Sequence, residues 1–85
     1  MKVGLYAVRD AKTGFLTPTA DVNDATAMRN FEHAIMNHQS LMYTHPTDYQ
    51  LWYLGDFDTE TGILIQPEDK TVPWLVCCAT DFRKE

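Results

Sequence analysis

The sequence has few of the residues that build metal centres or disulfide scaffolds. Its 85 residues include two cysteines and three histidines. Cys77 and Cys78 are adjacent, and the ring that would join neighbouring cysteines is strained. His33 and His38 are five residues apart, so they do not share a helix face, and no Cys-x-x-Cys or His-x-x-x-His spacing occurs. We therefore expect no bound metal, no cofactor and no disulfide.

Catalytic motifs are also absent. The sequence contains no glycine-rich phosphate loop, no nucleophile elbow and no recognisable Ser/His/Asp arrangement. Asp56, Asp58 and Glu60 cluster near one predicted turn. A turn that faces solvent supplies no pocket to tune a carboxyl group for acid–base catalysis. We expect that the protein is not an enzyme and has no catalytic residues.

Membrane and secretion signals are missing too. No apolar run approaches the roughly 18 residues of a membrane helix, and no signal peptide is recognisable, which predicts an intracellular protein.

The charge of the chain is unbalanced. The net charge is −5, and residues 41–85 hold three cations against eight acids. An acidic chain repels polyphosphates. Any nucleic-acid binding is therefore expected in the neutral N-terminal half.

What the sequence does contain is one long helical pattern. With 45% hydrophobic residues, the chain is expected to form a single packed domain over residues 1–80, followed by a frayed tail at 81–85. Residues 23–37 carry an apolar stripe at spacings of three and four that includes Ala27, Phe31 and Ile35. Asn23 or Asp24 is expected to cap this helix at its N-terminus.

The remaining apolar segments read as short strands. Two pairs of strands, each joined by an Asp-x-x-Thr-Gly turn, flank the helix. A last strand is confined to an edge, or to a late start, by Pro73. The predicted strands cover residues 2–9, 15–17, 49–57, 63–66 and 72–79. The sequence thus predicts an α+β fold of order β-β-α-β-β-(β), an antiparallel sheet of four to five strands with one main helix packed on one face.

Aromatic and basic residues near the first turn are candidates for nucleic-acid contact. Binding of single strands combines rings that stack on bases with cations that meet phosphate. Most aromatic residues in these strands are expected to pack in the core. The candidates that we retain as a binding set are Lys2, Tyr6, Arg9, Lys12, Phe15 and Arg29, with Trp52 as a further possible stacking ring.

Three stretches together resemble a known family. They are LYAVRDAKTGFLTPT, NDATAMRNFEHAI and HPTDYQLWYLGDFDTETG. This ordered series resembles the small non-structural protein of gokushoviruses, single-stranded DNA phages of the Microviridae, over residues 1 to about 66. The resemblance implies a viral protein made in the host bacterial cytoplasm, absent from the virion, that assists viral DNA synthesis. It carries over no catalytic residue.

Two functions follow as hypotheses. In the first, the protein is a replication accessory that binds single-stranded DNA through the N-terminal hairpin. Arg9, Lys12 and Arg29 would contact phosphate, and Tyr6 or Phe15 would stack on a base. In the second, it is a protein-interaction module that binds the viral replication initiator, a host factor or itself. An exposed edge strand would then pair with its copy in a two-fold homodimer.

Overall fold

Six strands and one main helix make up the part of the chain that the computed structural model describes, residues 1–82. This confirms the predicted α+β class with an antiparallel sheet. In chain order the elements are β1 (Lys2–Asp10), β2 (Gly14–Phe15), β3 (Thr19–Asp21), α1 (Asp24–Ile35), α2 (Leu41–Thr44), β4 (Tyr49–Asp58), β5 (Leu64–Ile65) and β6 (Trp74–Cys78).

The two long strands form the centre of the sheet. β1 and β4 pair antiparallel from Lys2 opposite Asp58 to Asp10 opposite Tyr49. β2 and β3 both pair with the edge of β1 that faces away from β4. β5 and β6 both pair with the edge of β4 that faces away from β1. The sheet is therefore four strands wide, with short strands along both edges, which limits the edge that is open to other chains.

The sixth strand is a departure from the prediction of four to five. β3 follows Pro18, a residue that is expected either to end a strand or to lie at an edge, and it pairs with β1 through Ala20 opposite Leu5. Proline has no N–H for a ladder, so Pro18 separates β2 from β3, but the chain can pair with β1 again after it. The last strand begins at Trp74, directly after Pro73, as the late start predicted.

Helix α1 covers one face of the sheet. Asn23 caps it, since its Oδ1 accepts a hydrogen bond from the Thr26 N–H at 2.9 Å. The helix buries Ala27, Phe31 and Ile35, as the apolar stripe predicted. These side chains belong to one core cluster with the sheet residues that face them, namely Tyr6, Tyr49, Leu51, Tyr53 and Cys77.

Asp81 and Phe82, which follow the predicted domain of residues 1–80, contact the rest of the chain. Asp81 Oδ2 accepts a hydrogen bond from the Cys78 N–H at 2.8 Å, and the Phe82 ring lies edge-on to Phe31 with centroids 6.4 Å apart. The predicted frayed tail began at residue 81, whereas Asp81 and Phe82 have defined contacts. The rest of that tail, residues 83–85, lies outside the described residues. Within residues 1–82, no helix is long and apolar enough to cross a membrane.

One backbone position in the sheet requires glycine for two reasons. Gly55 has a φ of +138°, and a Cβ there would lie 3.1 Å from the carbonyl oxygen of Ile65. Gly14 also has a positive φ, +106°, but a Cβ there would meet nothing within 4 Å. The strain of the backbone acts at both glycines, while the close contact with β5 acts only at Gly55.

Replacing Gly55 with alanine is therefore expected to lower the free energy of unfolding by about 1–3 kcal/mol. Gly14→Ala is the matched control, because it tests the positive φ without the contact to β5. Urea unfolding of both variants measures the difference, and Gly55→Ala is expected to have the lower midpoint. Equal midpoints would show that the close approach of Gly55 to Ile65 has no energetic weight.

Candidate functional site

The face of the sheet opposite α1 is not covered by a helix of the described residues. Along β4 the side chains of Leu51 and Tyr53 are buried beneath α1, whereas Gln50 and Trp52 alternate with them and are half-buried. Successive side chains of a strand point to opposite faces. Gln50 and Trp52 therefore mark a second sheet surface, which we call the open face.

The strand pairing identifies the other residues of the open face. Arg9 lies opposite both Gln50 and Phe15, and Trp52 lies opposite Ala7 and Leu75. The members of the open face are mostly apolar, and they are Leu5, Ala7, Arg9, Phe15, Gln50, Trp52, Leu54, Leu64, Leu75 and Cys78. Arg9 is the one ionisable side chain in this set other than the Cys78 thiol, so the face is nearly uncharged.

One end of the open face combines aromatic rings with a cation. We call Arg9, Phe15, Gln50 and Trp52 the hairpin-end cluster. Phe15 is 47% exposed, and its ring stands edge-on to Trp52 with centroids 6.0 Å apart. The Arg9 guanidinium carbon lies 6.0 Å from the centroid of the Phe15 ring. The two salt bridges found among residues 1–82 are both made by the N-terminal ammonium of Met1 and do not involve Arg9.

Hydrogen bonds fix the polar member of the cluster. The Trp52 Nε1–H donates to Gln50 Oε1 at 3.1 Å, and the Gln50 amide nitrogen lies 3.9 Å from Cys78 Sγ. The indole ring is thereby held beside Phe15, which is a preorganised arrangement of two rings. Sequence reasoning missed Gln50. The only signal for it is its position in the alternation of β4, between the buried Tyr49 and Leu51.

The structure brings together three of the six predicted binding residues. Arg9 and Phe15 lie in the hairpin-end cluster, and Lys12 is exposed in the turn that joins β1 to β2. Lys2 is at the opposite end of β1. Arg29 is exposed on α1, which packs on the other face of the sheet. Lys2 and Arg29 therefore do not join Arg9 in one surface.

The structure places Tyr6 in the core and not on a surface of the sheet. Its side chain is 2% exposed, and its hydroxyl donates to Asp24 Oδ1 at 2.5 Å. The tilted ring of Tyr53 lies 5.5 Å away, centroid to centroid. A ring in this position cannot stack on a base without opening the core. The physical reason is that Tyr6 is on the helix side of β1, where its ring lies over Gly4.

A second group of polar side chains lies at the start of α1, on the helix side. The Tyr6 and Tyr53 hydroxyls donate to Asp24 and Asp56, the latter at 2.6 Å. Burial, together with these carboxylates, raises the pKa of both phenols well above the ordinary tyrosine value. The raised pKa extends the protonated, hydrogen-bond-donating form of both phenols to more alkaline pH than for a free tyrosine. Among residues 1–82, no three potential metal ligands converge.

Comparison with known families adds a finding to this geometry. The model of a family described as Phage ORF5 protein matches residues 3–82. The chain belongs to this family. No curated protein and no solved structure matches it.

The family match covers α1 and all six strands of this Phage ORF5 protein except Lys2, the first residue of β1. It therefore includes both long strands that carry the hairpin-end cluster, and also β6, which the gokushovirus resemblance did not reach. The match identifies a phage protein, which agrees with the viral origin that the resemblance implied. It assigns no ligand or partner to the open face, so the function of that face must be argued from its chemistry.

Proposed function

We propose that this Phage ORF5 protein binds single-stranded DNA at its hairpin-end cluster and thereby assists viral DNA replication. The observation that supports the proposal is the exposed Phe15 ring, set edge-on to Trp52 and beside the Arg9 guanidinium. The gokushovirus resemblance supports the biological setting, in which the protein acts in the host bacterial cytoplasm and is not part of the virion.

Two parts of a single strand match two parts of the cluster. An unpaired base presents a flat face, and stacking on an aromatic side chain is tolerant of sequence. The adjoining phosphate carries a negative charge that Arg9 meets, with the exposed Lys12 at the margin of the cluster. A β-sheet surface that displays aromatic rings away from its helix is a common arrangement for single-strand recognition. A duplex, whose bases are stacked inside, offers no such face.

The charge of the chain limits the affinity. The net charge of −5 opposes the approach of DNA, and the cluster contributes about two cationic contacts. For a single strand, two phosphate contacts give a slope of about −1.4 in log K against log salt. Binding is therefore expected to be weak at physiological salt and to tighten roughly 15-fold between about 150 mM and about 20 mM salt.

Exchanging Arg9 for glutamine tests the phosphate contact. Arg9→Gln is expected to weaken binding to an oligothymidine of about 15 nucleotides and to flatten the salt slope by about 0.7. Arg29→Gln is the matched control, because it makes the same change in net charge on the helix side of the sheet. Fluorescence anisotropy at two salt concentrations measures both variants. The proposal fails if the wild-type protein shows no salt-dependent affinity, or if the two variants weaken binding equally.

A protein-interaction module is the second candidate function. It is favoured by the apolar character of the open face beyond the cluster, where Leu5, Leu54 and Leu64 line one groove. Edge-to-edge pairing of β6 has less support, because Asp81 already accepts a hydrogen bond from the Cys78 N–H and the pairing with β4 is irregular between Leu51 and Trp52. An apolar contact is expected to be insensitive to salt, unlike DNA binding.

A further inference from the structure

The side-chain amide of Gln50 has a defined orientation in the hairpin-end cluster. The indole N–H of Trp52 can only donate, so the atom of Gln50 that lies 3.1 Å from Trp52 Nε1 is the amide oxygen. The amide nitrogen is on the other side, where it lies 3.9 Å from Cys78 Sγ. This nitrogen carries two N–H groups, and a thiol sulfur is a weak acceptor. The Gln50 amide therefore keeps the capacity to donate a hydrogen bond to a ligand.

The neighbour of Gln50 across the sheet also presents only donors. Arg9 lies opposite Gln50 in the pairing of β1 with β4, and opposite Phe15 in the pairing of β1 with β2. A guanidinium carries N–H groups and has no acceptor. The oxygen of the Gln50 amide is already bonded to Trp52. The polar side chains of the hairpin-end cluster therefore offer a ligand hydrogen-bond donors.

The Gln50 amide is within reach of a base that stacks on Phe15. Phe15, Arg9 and Gln50 form one row across three strands, and neighbouring strands are about 4.8 Å apart. The backbones of Phe15 and Gln50 are therefore separated by about 10 Å, which a base and one hydrogen bond can span. The Phe15 ring lies 6.0 Å from the Trp52 ring, and the same indole holds the Gln50 amide. The stacking ring and the donating group thus contact one side chain.

We propose that Gln50 makes the hairpin-end cluster select keto bases, thymine and guanine, over amino bases, cytosine and adenine. The inference rests on the DNA binding proposed above and adds a base preference to it. Thymine carries the acceptor O4 where cytosine carries its N4 amino group, and guanine carries O6 where adenine carries N6. A donor at Gln50 bonds to either oxygen, whereas the amino groups offer it no acceptor. Both pyrimidines share the carbonyl at position 2, so position 4 distinguishes them.

A single hydrogen bond sets the size of this preference. Gln50 is half-buried, so the contact forms at a partly solvated site. Such a contact corresponds to a preference of roughly 3-fold to 10-fold. Stacking on an aromatic ring accepts every base. Binding of the amino bases is therefore expected to be weakened but not abolished.

Titration with two matched oligonucleotides tests the preference. Oligodeoxyuridine and oligodeoxycytidine of about 15 nucleotides share a backbone and a ring size, and uracil has the O4 of thymine without its methyl group. Fluorescence anisotropy at low salt gives both dissociation constants, and their ratio is the measured quantity. The wild-type protein is expected to bind oligodeoxyuridine roughly 3-fold to 10-fold more tightly.

Gln50→Glu exchanges the donor for an acceptor. One carboxylate oxygen can still accept from the Trp52 indole, and the other can accept from the amino group of cytosine. The variant is expected to reverse the preference, so that oligodeoxycytidine binds more tightly. The added negative charge weakens both complexes, but it does not by itself change their ratio.

Gln66→Glu is the matched control for the change in charge. Gln66 is exposed directly after β5. β5 pairs with Asp56 and Phe57, and Asp56 is six residues along β4 from Gln50, which corresponds to about 20 Å. This variant is therefore expected to keep the wild-type ratio. An unchanged ratio in Gln50→Glu, or the same reversal in Gln66→Glu, would show that Gln50 does not read the base.

The titrations separate the base preference from DNA binding itself. If the wild-type protein bound both oligonucleotides equally, and Phe15→Ala weakened both, the preference would be overturned and binding at the hairpin-end cluster would stand. If it bound neither oligonucleotide at low salt, both proposals would be overturned.

Trp52→Phe gives a second test if circular dichroism melting shows that Gln50→Glu is unfolded. The variant keeps an aromatic ring but removes the indole N–H that orients the Gln50 amide. The amide can then present its oxygen or its nitrogen to a base, so the ratio of the two dissociation constants is expected to approach one. A wild-type ratio in Trp52→Phe would contradict the role of the oriented amide.

Discussion

Replacing Phe31 with alanine is expected to lower the stability of the protein by about 3–5 kcal/mol. Phe31 is buried at the centre of the contact between α1 and the sheet, and its ring packs edge-on against Phe82. Truncating a buried phenylalanine to alanine costs about 3–5 kcal/mol. A domain of this size has a free energy of unfolding of about 4–13 kcal/mol in total, so the variant loses at least about a quarter of it.

Thermal melting followed by circular dichroism measures this loss, and urea unfolding at lower temperature gives its magnitude. Phe15→Ala is the matched control for the same chemical change, because Phe15 lies on the open face and is 47% exposed. Its cost is expected to be below about 1 kcal/mol. If Phe31→Ala melted at the temperature of Phe15→Ala, α1 would not be the element that holds the domain together.

The main helix and the long strands could be predicted because local patterns determine them. The stripe of Ala27, Phe31 and Ile35 has helical period, and only one surface could bury it. Asn23 before it is a cap whose hydrogen bond the structure shows. β3 was missed because a strand of three residues has too few positions for an alternating pattern, and it depends on pairing with β1.

The candidate site was less predictable than the fold. Tyr6 and Phe15 are both aromatic residues near a basic side chain, yet one is in the core and the other on the surface. The register of β1 is irregular between Leu5 and Tyr6. A shift of one residue in register moves a side chain to the other face, so the sequence alone could not assign Tyr6. The separation of Arg29 from Arg9 likewise depends on which face α1 covers.

The edge strands are a second feature that could not be predicted from the sequence. Under the second hypothesis, an exposed edge strand, not specified by the sequence, pairs with its copy. The Cys78 N–H instead donates to Asp81 within the same chain, a contact that reflects the tight turn Ala79–Asp81. The uncovered surface of the molecule is thus the broad open face rather than the edge. The proposed DNA binding therefore belongs to the open face and not to an edge.

Removing the Phe15 ring is expected to produce the largest loss of DNA affinity of any single change. Stacking of a base on an aromatic side chain contributes about 1–3 kcal/mol, so Phe15→Ala is expected to weaken oligothymidine binding by roughly 5-fold to 150-fold. The salt slope is expected to stay unchanged, since no phosphate contact is lost. Together with Arg9→Gln, which changes the slope, this variant separates stacking from charge.

Trp74→Ala is the matched control for an exposed ring. Trp74 is 46% exposed, almost the same as Phe15, but it lies beside Lys70, whose ammonium nitrogen is 5.6 Å from its ring centroid. It pairs with Tyr53, whose side chain faces α1, so it is outside the open face. Its loss is expected to leave affinity within about twofold. Equal weakening by Phe15→Ala and Trp74→Ala would mean that DNA is not bound at the hairpin-end cluster.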